Sequence, residues 1–273
     1  MKIYKTVRII AFVIVVLVIA ALLLVHLFAG RAVKMGVEHA GTKALGVAVS
    51  VNDVDVSLLR GEVALQNLII NNPPGYQHPQ LLKLKSARIN VELGTLLKDE
   101  VNIKDIELEG IDLVIESKGL SGNNLNKVMD NIKAKGKEGE PSGKKLHIDT
   151  LVVSDIKVRV KPLGLPGTAD TITLKLKPIR MANLGSEDKL DMVMLTTKVF
   201  VALVGGVIEQ GTKDLPKAIV GQLEFGLKGL VDVSGELLKG GTKVLKDGKE
   251  LGEGILKGIK KVIEPGKKEE NNK

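Results

Sequence analysis

Residues 47–70 read VAVSVNDVDVSLLRGEVALQNLII, and how this stretch is read decides the fold. Val47, Val49 and Val51 alternate with small or polar residues, the mark of a strand with one buried face. At Asn52-Asp53 the alternation slips by one, and Val54, Val56 and Leu58 carry it on. Beyond Leu59-Arg60, Val63 and Leu65 alternate, slip at Gln66-Asn67, and resume at Leu68 and Ile70. An uncorrected slip would turn every later side chain to the other face. A β-bulge restores the face and bends the strand. No slip carries the Asn-Gly or Asp-Gly of a two-residue hairpin, so bulges are favoured over turns. A hairpin at Leu59-Arg60 would set the first two slips opposite each other.

The template apolar-x-apolar-x-x-apolar-x-apolar recurs along the chain. It spans Leu82 to Ile89 around Lys85-Ser86, Val101 to Leu108 around Lys104-Asp105, and Leu146 to Val153 around Asp149-Thr150. Slips aligned across neighbouring strands predict a sheet creased along a line, with its apolar face on the concave side. The expected lining of that face is Val49, Val51, Val54, Val56, Val63, Leu65, Leu68, Ile70, Ile89, Val91, Ile103, Ile106 and Leu108. Further strands are expected at Ile111 to Ile115, Ile156 to Val160 and Ile172 to Leu176. Leu125, Val128, Met129 and Ile132 have helical spacing. KGKEGEPSG at 135–143 predicts a surface loop. NNPPGY at 71–76 predicts a rigid corner between strands, with Pro74-Gly75 in a type II turn.

The ends of the chain differ from this middle. Ile9 to Ala29 is an apolar run without formal charge, long enough to cross a hydrocarbon core of about 30 Å. Its length, and the bulky Leu27 in the best candidate cleavage site Leu27-Phe28-Ala29, favour an uncleaved anchor over a cleaved signal peptide. Lys2, Lys5 and Arg8 before it favour a cytoplasmic N-terminus. Residues 31–45 place Val33, Val37, Ala40, Ala44 and Leu45 on one helical face, and Gly46 ends that pattern. From Glu187 the period is again helical. Met192 to Ile208 is apolar, but Lys198 and Gly205-Gly206 favour a helix packed on the sheet over a second span. Residues 226–266 mix Gly, Lys and Leu, with Leu227, Leu238, Leu245, Ile255, Ile259 and Val262 on one face. Each interior Gly weakens such a helix by about 1 kcal/mol relative to Ala, so it needs an external surface: the apolar groove, a bilayer interface or a partner helix. The sequence divides into a stub and anchor (1–30), an amphipathic helix (31–46), a sheet domain (47–182), a helical region (187–264) and a tail (265–273).

Composition removes several function classes. The 273 residues include no Cys, which excludes disulfides and thiolate chemistry. Aromatics are 2%, leaving few platforms on which to stack a nucleic-acid base. The net charge of +8 is spread as Lys among Asp and Glu, as on a solvated surface. His39, His78 and His147 sit in different segments without metal-ligand spacing. No nucleophile elbow, P-loop or dinucleotide fingerprint occurs. No cofactor, metal or catalytic residue is expected, and the chain is not read as an enzyme.

One resemblance gathers these features. The segments VSLLRGEVALQNLIINNPPGY, LLKLKSARINVELGTLLKDEVNIKDIELEGIDLVIE and NNLNKV follow a single span and a short helix. Together they resemble the N-terminal region of the AsmA-like proteins of the bacterial envelope. The shared marks are Leu58, Leu59 and Gly61, the corner at Asn72, Pro73, Gly75 and Tyr76, the pair Leu96-Leu97, and Asn124-Leu125. The resemblance implies an inner-membrane anchor, the bulk of the chain in the periplasm, and a β-sheet projecting from the membrane. Longer members form a twisted half-pipe with a hydrophobic groove and are associated with phospholipid transfer. The expected fold is therefore mainly β with α: a transmembrane helix, a curved antiparallel half-pipe of about 8–10 strands, and C-terminal amphipathic helices. The expected function is to bind or guide lipid acyl chains in envelope biogenesis. The alternative is a non-catalytic adaptor or regulator whose groove is filled by its own helices. The implied partners are a phospholipid or other envelope lipid, the inner membrane, and another envelope protein or a second copy of the chain, with no nucleic acid.

Overall fold

A computed structural model describes residues 28–118, 122–136, 144–163, 171–186 and 190–233. The apolar run before residue 28, the 137–143 loop and the chain beyond 233 lie outside these residues. Helix α1 (28–45) leads into strands β1 (Val49–Ser57), β2 (Glu62–Asn71), β3 (Gln80–Val91) and β4 (Glu100–Lys118). Helix α2 (Asn124–Gly136) crosses to β5 (Lys145–Leu163). Then follow β6 (Ile172–Leu176), β7 (Ile179–Leu184), α3 (Met192–Gly211) and α4 (Lys217–Val233). The strands form one open seven-stranded sheet in the order β1-β2-β3-β4-β5-β6, with β7 beside β6 on the same flank of β5.

The antiparallel expectation needs one correction. β4 and β5 pair in parallel along their whole lengths, from Glu100 opposite Lys145 to Lys118 opposite Leu163. The physical reason is α2: a connection containing a helix returns the chain to the end of the sheet where β4 began, so the next strand must run alongside it. Strand number is corrected as well. Ile111 to Ile115 and Ile156 to Val160 are the second halves of β4 and β5, which run 19 residues each without a break.

The slips fall on lines. Register is the same on both sides of Asn52 and Asn67, but that pair is skipped in the ladder. The skipped position continues as Asn67 against Lys85, Lys85 against Gly110, and Gly110 against Asp155. Asn67, Gly110 and Asp155 have positive φ values of 49°, 76° and 49°. Each strand therefore carries its extra residue at the same level. Facing extra residues leave the register intact, so no one-against-two bulge forms on this line. A second line runs through Lys104 and Asp149 toward Asn183, whose φ is 52°. Here β3 lacks the matching residue, so Asn90 faces Asp105 while Val91 faces Ile103, and Lys104 is a true bulge.

Because alternation restarts after each line, apolar residues form rows across the sheet. One row is Val49, Ile70, Leu82, Leu113, Val158 and Leu174; the next is Val51, Leu68, Leu84, Ile111, Ile156 and Leu176. The core lies on this face. Leu125, Val128, Met129 and Ile132 of α2 are buried there, with Leu195, Phe200, Leu203 and Val207 of α3 and Ile219 and Leu223 of α4. Fully burying each such side chain contributes about 1.5–3 kcal/mol. α3 is long and apolar enough to cross a membrane, but 67% of its Met194–Gly211 window is buried against protein. α1 covers the outer edge of β1: Val49 N donates to Thr42 Oγ1 (3.0 Å) and Val51 N to Glu38 Oε1 (2.8 Å). An edge strand dressed in this way offers few free backbone groups for stray pairing.

Candidate functional site: a half-covered apolar corner of the sheet

The expected lining residues divide by what packs over them. Val49, Val51, Leu65, Ile70, Ile103 and Ile106 are buried in the core, while Val54, Leu68, Ile89, Val91 and Leu108 are partly buried and pack against it. Val56 and Val63 are half-buried, opposite each other in β1 and β2, and belong to no core cluster. Register explains the gradient. Val56, Val63, Ile89, Ile106, Leu151 and Met181 form one row, of which only the β4, β5 and β7 members are buried. Val91 continues the uncovered side, since its partners Ile103, Ile148 and Leu184 are buried. Among the described residues the helices thus cover the β4–β7 side and stop short of one corner, made by Val54, Val56, Val63, Ile89 and Val91.

Two turns border this corner. The β1–β2 hairpin carries Leu59, which is 99% exposed. The β3–β4 connection carries Leu97 at 97%, with Leu93 and Leu96 at 41%. The two turns touch: Val91 N donates to Gly61 O at 2.7 Å, and a Cβ on Gly61 would lie 2.3 Å from Val91 O and 3.2 Å from the Leu93 side chain. Gly61 has φ +68°, so both conformation and space require glycine there. The leucine pairs were visible in the sequence as motif residues. Their exposure was not, because strand periodicity carries no information about turns.

The opposite end of the sheet is polar and rigid. Asn124, fully buried, accepts at Oδ1 from Glu116 N and Leu125 N, and donates to Asn72 Oδ1 (2.8 Å) and Val114 O (2.8 Å). The buried Glu116 carboxylate accepts from Gln77 N (2.7 Å) and His78 N (2.9 Å). The 71–79 corner is thereby clamped to the end of β4 and the start of α2. Pro74 and Gly75 form its turn, with Gly75 at φ +89°. Lys118 Nζ sits 4.5 Å from the centre of the Tyr76 ring. Burial, and secondarily the Glu116 charge, raise the Tyr76 hydroxyl above its ordinary 10.0. Nearby, a cleft of about 550 Å³ lies between α2 and α4, lined by Tyr76, Asn123, Asn126, Gln222 and Phe225 among others. Asn123 Nδ2 donates to Gln222 Oε1 and Asn126 Nδ2 to Gln222 O, which tie α4 to α2. None of these groups was expected as a site. Among the described residues no group of three His, Cys, Asp or Glu could hold a metal ion.

The profile of the AsmA family matches residues 1–165, which include the apolar N-terminal run, β1 to β4, α2 and β5. No curated protein matches the chain significantly. With well over half its length matched, including every strand that builds the apolar corner, the chain belongs to the AsmA family.

Proposed function

We propose that this chain is anchored in the inner membrane, with its bulk in the periplasm, and binds or guides a lipid acyl chain on the uncovered corner of its sheet. One observation carries the reading: Val56 and Val63 lie on the core face of the sheet yet outside the core, flanked by half-buried Val54, Ile89 and Val91. An acyl chain laid there would complete the covering that the helices leave unfinished. Each methylene taken from water contributes about 0.8 kcal/mol, so binding needs no catalytic group. Membership of an envelope family supports the same role. We assign no catalysis and no cofactor to it.

The test is the lipid retained by the purified full-length chain, identified by mass spectrometry. The wild type should hold phospholipid beyond that held by a Val56→Glu/Val63→Glu variant, with unchanged helix content and melting. Equal lipid in both proteins would contradict the reading, because lipid around the apolar run would be common to both. A second reading, a non-catalytic adaptor or regulator, draws on the helices over the inner face: α2 packs on β4, α3 on β6 and β7, and α4 on α2 and α3. Under that reading the corner takes a protein partner, and crosslinks from Val56 should yield protein adducts.

A further inference from the structure

We propose that the turn end of the sheet, bearing Leu59, Leu93, Leu96 and Leu97, is a surface that enters the lipid bilayer. This rests on the reading of residues 9–29 as a membrane anchor. Leu59 and Leu97 are 99% and 97% exposed, at turns where nothing in the fold requires an apolar side chain. Two turns far apart in sequence touch through Val91 N and Gly61 O and carry four exposed leucines at one end of the sheet. Exposed apolar residues gathered in this way mark an interaction surface.

The path of α1 says which surface. The helix runs antiparallel to β1, with Thr42 at Val49, Glu38 at Val51 and Lys34 Nζ on Asn52 O. Gly30 follows in the same sequence, its Cβ position 2.7 Å from Val54 O. The apolar run therefore meets the folded chain at the level of Val54. β1 continues past that level through Val56 and Ser57 to the hairpin tip, away from the Asn72 corner. The leucine turns thus project beyond the point at which the apolar run enters, toward whatever holds that run. Exposed Arg60 and Lys98 stand beside the leucines, and Lys144 Nζ donates to Lys98 O at 2.9 Å. Basic residues next to apolar ones suit an anionic lipid surface. Glu92, Asp99 and Glu100 lie in the same connection, so net charge contributes little and the leucines carry the contact. A bilayer edge at this rim would also bring acyl chains to Val56 and Val63.

The absence of Cys allows single labelling sites. Full-length Leu59→Cys, Leu97→Cys and Gln77→Cys variants, each labelled with an environment-sensitive fluorophore, are reconstituted in phosphatidylethanolamine/phosphatidylglycerol vesicles. Gln77 is exposed at the opposite end. Labels at 59 and 97 should emit at shorter wavelength and be quenched severalfold more by nitroxide-acyl lipids than the label at 77. Chains that float with the vesicles but show equal quenching at all three positions overturn the rim contact and leave the anchor standing. A blue shift at 97 without lipid quenching also overturns it, in favour of a protein contact. Chains that do not float with the vesicles refute the anchor and the rim together.

Discussion

Asn124 ties three parts of the fold together from one position. Its four hydrogen bonds join α2, β4 and the 71–79 corner, and it is fully buried. Truncation leaves buried donors and acceptors unpaired, which costs about 1–3 kcal/mol. Asn124→Ala should therefore lower unfolding free energy in urea by about 2–3 kcal/mol, while Lys127→Ala, exposed one turn later, should stay within about 0.5 kcal/mol. Tyr76 gives a pH signature at the same place. Its hydroxyl ionises more readily in the unfolded chain than in the folded one, because burial and then Glu116 raise the folded value above 10.0. The associated stability is complete below pH 10.0 and is lost as pH rises through the folded value. Urea titrations from about pH 9 to about pH 11 should show a shallower alkaline fall for Tyr76→Phe than for the wild type. Little of this was legible in the sequence. The corner and its turn were, because Pro and Gly fix backbone angles locally. A glutamate in an alternating strand reads as solvated, and only the tertiary arrangement shows Glu116 holding the amides of Gln77 and His78.

At the scale of elements, the lines of irregular backbone organise the sheet. Gly110 shows what they demand: φ is +76°, and an added Cβ would lie 2.7 Å from Lys85 Cβ. A left-handed conformation costs an L-residue roughly 1–2 kcal/mol. Gly110→Ala should destabilise by about that amount or somewhat more, since Lys85 must also move. Gly36→Ala is the counterpart, in exposed α1 with open space around the new Cβ, and should stabilise by about 0.5–1 kcal/mol. Thermal unfolding of both variants checks the contrast. The slips at Asn52, Asn67 and Lys85 were legible because each interrupts a clean period of two. The same line at Gly110 and Asp155 reads as the end of one strand and the start of another, since glycine and aspartate are common turn residues. Sequence order also hid the parallel pairing of β4 with β5, which depends on where α2 returns the chain. The start of α4 at Lys217 was not singled out within the expected helical region 187–264, because its apolar face is set by contact with α2 and α3.

For the whole molecule, the question is whether the inner face is filled or open. The rows of valine, leucine and isoleucine were legible from alternation alone. Which part of them the described helices cover was not, because that depends on how α2, α3 and α4 pack together over one face. The result is a sheet filled over β4 to β7 and half-covered at the β1–β3 corner, beside the leucine-bearing turns. Adjacent residues of β1 test this directly, because Val56 faces the corner and exposed Asp55 faces the other side. A photo-crosslinking amino acid is placed at each position in turn, in the full-length chain in intact membranes. Adducts are then identified by mass spectrometry after irradiation. The account predicts phospholipid adducts at Val56 and few at Asp55; equal lipid adducts at both positions, or protein adducts alone at Val56, would contradict it.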